Sequence, residues 1–172
     1  GYNLYPISHI LCSIIVDITN IDPNTVVMAI SQYFSLLYIL FVFILAKVLM
    51  KDRVYVIIVT ALSTIYFMGA VHAQLHPHFL STMILPLIYY CYIQLRFARI
   101  SEIKIPFLLL LLLMPFFHPL TSIFLIVSLV VLEIVSFIKD RLQTNGSNTS
   151  LHQKTVISSI FVLIISFSFW TL

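Results

Sequence analysis

The chain has 172 residues, of which 61% are hydrophobic and 9% charged, with nine Lys and Arg against six Asp and Glu. A soluble domain of this length needs a charged surface that this composition lacks, so lipid is the solvent around most of it. Three glycines and long apolar runs argue against the short alternating strands of a barrel, and the net charge of +3 gives no reason to expect nucleic acid.

The mean hydropathy, +1.10, fits an all-α polytopic transmembrane bundle. The chain opens at Gly1 without a leader pattern and closes on Trp170 to Leu172 inside an apolar run. It reads as a piece of a longer membrane protein. Residues 1–24 are expected outside the membrane or in its interface, and residues 25–172 form the transmembrane domain.

Tyr5 to Thr19 places Ile7, Ile10, Leu11, Ile14, Ile15 and Ile18 at helical spacing, with Ser8, Ser13 and Asp17 elsewhere. That pattern predicts an amphipathic helix lying in the interface. Asn20 to Asn24 then breaks it. About six spans follow, at residues 25–46, 54–71, 79–95, 105–117, 120–138 and 155–172. The fourth reaches only about 20 Å, against a hydrocarbon core of about 30 Å. Residues 105–138 therefore fit a hairpin turned at His118-Pro119; the competing reading is one long tilted helix. Pro115 and Pro119 favour the hairpin, since two prolines so close break the hydrogen-bond ladder.

Every Lys and Arg falls on alternate connections: Lys47, Lys51 and Arg53; Arg96, Arg99 and Lys104; Lys139, Arg141 and Lys154. The positive-inside rule puts these connections in the cytoplasm and Gly1 to Asn24 on the extracytoplasmic side of the cell membrane. The sequons at Asn145 and Asn148 would then face the cytoplasm as an unmodified polar linker. Cys12 and Cys91 fall near opposite ends of this arrangement and are not expected to pair.

His9, His72, His76, His78 and His118 gather on the outer side, with Asp17 and Asp22. Interfacial histidines can simply face water, or they can mark function. His72 and His76 are spaced for a shared metal ion, but no carboxylate lies near them and Pro77 ends any helix that would align His78 with them. No metal site is assigned there. No histidine sits in mid-span, as haem ligation across the bilayer would need.

Three spans entering from outside are preceded by Asp22-Pro23, His76-Pro77 and His118-Pro119. Proline suits a first helical turn, and each helix start carries free N–H groups and partial positive charge. If the starts converge, they form a phosphate-binding site, with His76, His78, His118, Ser81, Thr82, Thr121 and Ser122 as donors. Otherwise proline merely punctuates helices. Glu133, the one carboxylate within a span, is close enough to the inner end to snorkel, or it belongs to a proton relay whose partner is not evident.

The segment Leu4-Tyr-Pro-Ile-Ser-His-Ile-Leu, the stretch from His76 to Thr82, the Arg96/Arg99 connection and Phe117-His-Pro-Leu-Thr-Ser resemble integral membrane glycosyltransferases of the C-type fold. These are relatives of oligosaccharyltransferases and protein mannosyltransferases. The resemblance implies transfer of a sugar from a polyprenyl-phosphate donor at the extracytoplasmic face. It also implies an acidic residue of the first outer loop acting as base or as ligand to a divalent metal. That loop would precede Gly1, so Asp17 and Asp22 are only stand-ins for the acid. A transporter or flippase module is the alternative, because Pro-interrupted spans with polar groups also suit it. A non-catalytic membrane scaffold is the third.

Overall fold

The computed structural model describes residues 6–67, 77–98, 100–143 and 150–171. Among the described residues every regular element is helical and none is a strand. The α-helices are α1 (Pro6–Thr19), α2 (Pro23–Leu49), α3 (Arg53–Ser63), α4 (Pro77–Ile93), α5 (Lys104–Phe117), α6 (Pro119–Gln143) and α7 (Ser150–Thr171). A 3₁₀ turn, Thr64–Phe67, extends α3, and a π turn, Gln94–Ala98, extends α4. The chain divides into two compact units, Gly1–Tyr90 and Cys91–Leu172.

The X-Pro pairs act as helix starts. Asp22 caps α2, its carboxylate accepting from Asn24 N at 3.0 Å and Thr25 N at 3.1 Å, while Pro23 fills the first helical position. Pro77 and Pro119 begin α4 and α6. The break after α1 is set by Asn20, at φ 54°, whose N–H closes on Val16 O at 2.8 Å. Asparagine is one of the few side chains that tolerates this left-handed geometry.

In the first unit α1 and α3 both pack against α2. Burial is sparse, with Val26, Ile30, Ser31 and Ala46 inside on α2 and Val56 on α3. Leu36, Leu40, Val54, Tyr55 and Ile57 are exposed. Such a continuous apolar surface would drive aggregation in water and is solvated in lipid.

In the second unit α7 packs against both α5 and α6, which also touch one another. Each helix presents a stripe at helical spacing: Phe107, Leu111 and Met114 on α5, Leu125 and Leu129 on α6, and Val156, Ile160 and Leu163 on α7, all buried. Buried Ser122, Ser136, Ser159 and Ser166 lie among them. Small residues let helix backbones approach closely where lipid offers no hydrophobic contrast. Ser166 Oγ reaches across to donate to Leu112 O at 3.1 Å.

Six spans are not supported. Three helices among the described residues are long and apolar enough to cross a membrane: Pro23–Leu49, His78–Ala98 and Pro119–Lys139. The apolar runs overstate the count because composition does not register where the backbone stops being helical. The expected second span is α-helical for 11 residues, Arg53–Ser63, before tightening into the 3₁₀ turn, and residues 68–71 lie outside the described set. Eleven residues rise only about 16 Å. The expected fourth span is the 14-residue α5, and the described apolar part of α7 is Val156–Ser168. With that, the alternation of basic connections no longer rests on a matching number of crossings.

The break at residue 118 falls where the two prolines put it. α5 stops at Phe117, and His118 is a single extended residue (φ −162°, ψ 116°) before Pro119 opens α6. One uninterrupted helix over residues 105–138 is ruled out.

Candidate functional site

Two polar constellations stand out on α6, one at its start and one about 21 Å further along its axis.

At the start, His118 occupies the N-cap position. Its Nδ1 accepts from the backbone N–H of Thr121 at 3.3 Å and lies 3.1 Å from Thr121 Oγ1. A ring nitrogen that accepts from an amide carries no proton, so the imidazole proton resides on Nε2. The Ser122 hydroxyl donates back to His118 O at 3.1 Å. The imidazole is thereby fixed in tautomer and direction by the helix it caps.

The first turn of α4 is built in a similar way. His78 is exposed, and its carbonyl accepts from Ser81 Oγ at 2.8 Å and Thr82 Oγ1 at 2.7 Å. Ser81 is fully buried. These hydroxyls, expected as anion donors, direct their protons into their own helices. At α2 the anion's place beside the helix N–H groups is taken by the carboxylate of Asp22 itself. Asp22 and Asp17 are both exposed. His78 and Ser81 belong to the first unit, and His118 and Thr121 to the second. His72 and His76 lie outside the described residues, as do Asn145 and Asn148. Among the described residues no group of three or more His, Cys, Asp or Glu side chains could hold a metal ion.

The second constellation is one that the sequence did not disclose. Tyr92, near the end of α4, donates from its hydroxyl to Glu133 Oε1 at 3.0 Å. Arg96, in the π turn, places Nε 3.5 Å from the same oxygen, with its guanidinium 5.7 Å from the Phe97 ring centroid. All three side chains are almost wholly withdrawn from solvent: Tyr92 is 1% exposed, and Arg96 and Glu133 are 7% each. Glu133 therefore does not snorkel, and Arg96 is not a loop residue. The π turn carries Arg96 inward, whereas the count of basic residues assigned it by sequence proximity to the cytoplasmic connection. A signal was present in α6, where Ser122, Leu125, Leu129, Glu133 and Ser136 share one helical face and all are buried. A carboxylate on a core stripe requires a partner.

Comparison of the chain with protein-family models, with curated proteins and with solved structures finds no match. The family resemblance noted in the sequence therefore stands on its own short motifs.

Proposed function

We propose that the chain is part of a membrane glycosyltransferase that takes a sugar from a polyprenyl-phosphate donor. The observation that supports this is the geometry of His118. Its Nδ1 is engaged by Thr121, so Nε2 is the proton-bearing nitrogen, and the ring sits at a helix start where partial positive charge favours an anion. In the reaction an acceptor hydroxyl oxygen attacks the anomeric carbon, and the bond from that carbon to the lipid phosphate breaks. The phosphate leaves with the electron pair, and the hydroxyl proton passes to a base. An Nε2–H donor at the departing phosphate oxygen stabilises the charge that grows there.

The test is transfer of labelled sugar from a polyprenyl-phosphate donor by the full-length protein in membranes. Asparagine caps helices well but has no nitrogen where Nε2 stands. His118→Asn is expected to lower transfer about tenfold or more at unchanged protein level. Unchanged transfer in His118→Asn would remove His118 from the site. Absence of transfer from every such donor, with the fold intact, would overturn the glycosyltransferase reading.

A transporter is the second reading, and the buried Tyr92–Glu133–Arg96 set favours it. Ionisable groups inside a helical membrane bundle are costly and mark ion or proton pathways. Proton-coupled uptake lost in Glu133→Gln, with folding retained, would move the assignment there.

A further inference from the structure

The basic residues of the first connection surround a cavity. α2 folds back onto α3 through Met50 to Asp52, and the two helices pack closely. At that turn a cavity of about 510 Å³ is lined by Phe43, Lys47, Met50, Lys51, Arg53, Val56 and Ile57. Three of these are cationic and four are apolar. The one acidic side chain of the turn, Asp52, is turned to its own helix, where it caps α3 by accepting from Val54 N at 2.9 Å.

We propose that this cavity holds the head group of an anionic phospholipid, with the phosphate among Lys47, Lys51 and Arg53 and the acyl chains against Phe43 and Ile57. Charge complementarity selects the occupant. A lipid with no net charge would gain less from the three cations, because its own cationic group opposes them, and a soluble anion would gain nothing from the apolar lining. Both halves of the cavity match a molecule that is charged at one end and apolar at the other. The position agrees, since the cations stand at the end of a 27-residue helix long enough to cross the hydrocarbon, the level at which head groups lie. Beyond the cavity, Leu36 and Leu40 on α2 and Val54 and Ile58 on α3 are exposed apolar side chains, surface of the kind that acyl chains cover.

The experiment uses the full-length protein purified in mild detergent with equal amounts of phosphatidylglycerol and phosphatidylcholine, and counts retained lipid by native mass spectrometry. Phosphatidylglycerol is expected to be retained several-fold over phosphatidylcholine. The combined Lys47→Gln, Lys51→Gln and Arg53→Gln variant should reduce it to the phosphatidylcholine level, since a cation near an anionic surface is worth about fivefold in binding. The control, Lys104→Gln with Lys139→Gln, should retain wild-type preference. Lys47→Arg with Lys51→Arg should do the same, which separates charge from folding. Equal retention of the two lipids by the wild-type protein would overturn the proposal. So would a triple variant that still prefers phosphatidylglycerol, or an equal loss in the control, which would make the attraction diffuse. Displacement of the lipid by excess glycerol 3-phosphate would show a soluble-phosphate site instead.

Discussion

The hydroxyl of Tyr92 donates to the carboxylate of Glu133 at 3.0 Å, joining residues 41 positions apart in the chain. This contact ties the end of α4 to the second half of α6, and Arg96 adds a cation 3.5 Å from the same oxygen. A carboxylate buried with a guanidinium and a phenol is stable as a set and unstable in pieces. Glu133→Ala would leave the Arg96 charge buried and uncompensated, and should cost about 3–5 kcal/mol. Tyr92→Phe removes one hydrogen bond to a charged group and should cost about 1.5–3 kcal/mol. Adding Arg96→Met to Glu133→Ala should recover part of the loss. Unfolding of the purified protein in detergent measures all three. A cost below about 1 kcal/mol for Glu133→Ala would mean that the pair is open to water in the folded protein.

Asp22 has two roles proposed for it, and one substitution separates them. As the cap of α2, Asp22→Ala should lose about 1 kcal/mol, whereas Asp22→Asn should be nearly neutral because asparagine caps equally well. If Asp22→Asn keeps stability but abolishes sugar transfer, the carboxylate works as a base or metal ligand as well as a cap.

Cys12 is half-buried and Cys91 is buried at 4% exposure, and both are free thiols. A maleimide should label Cys12 in the folded protein and Cys91 only after denaturation. Burial pushes the Cys12 thiol up from its ordinary range, which lowers its thiolate fraction at neutral pH. Labelling at Cys12 should therefore be slower than at a solvent-exposed thiol and should accelerate as pH rises. Labelling of Cys91 at the Cys12 rate would contradict the buried end of α4.

Ser166 is a test of close helix approach. Ser166→Ala removes the bond to Leu112 O and should cost about 0.6 kcal/mol, a typical value for such bonds in membrane proteins. Ser166→Leu should cost more, about 1–3 kcal/mol, because the side chain must force α5 and α7 apart. The difference between the two variants, read from the same unfolding measurement, reports packing separately from hydrogen bonding.

Much of the fold was legible because its signals are local. The apolar runs gave the all-α class, and the prolines at positions 23, 77 and 119 marked three helix starts, which lie within two residues of the expected span starts. Proline carries no N–H and fixes its own φ, so its meaning does not depend on distant contacts. The number of crossings was not legible in the same way. The shortening of α3 into a 3₁₀ turn changes hydrogen bonding without changing hydropathy. Nor did the sequence show the partner of Glu133, because the pairing depends on the π turn that brings Arg96 inward. At the helix starts of α4 and α6 the residue types were readable but not their engagement. Ser81 and Thr82 give their protons to His78 O and Ser122 to His118 O, bonds that residue type alone does not specify.

The π turn at Gln94–Ala98 also makes the chain length at this point matter. A π turn holds more residues than an α-helical turn, so it accommodates one additional position without interrupting the helix. Deleting a single residue there would let the segment relax to the ordinary pitch and change which side chains of the turn face inward. Arg96 would then leave the side facing Glu133, although no substitution had touched either residue. A one-codon deletion in this stretch should thus resemble loss of the arginine, while the same deletion in the polar connection after Gln143 should be tolerated.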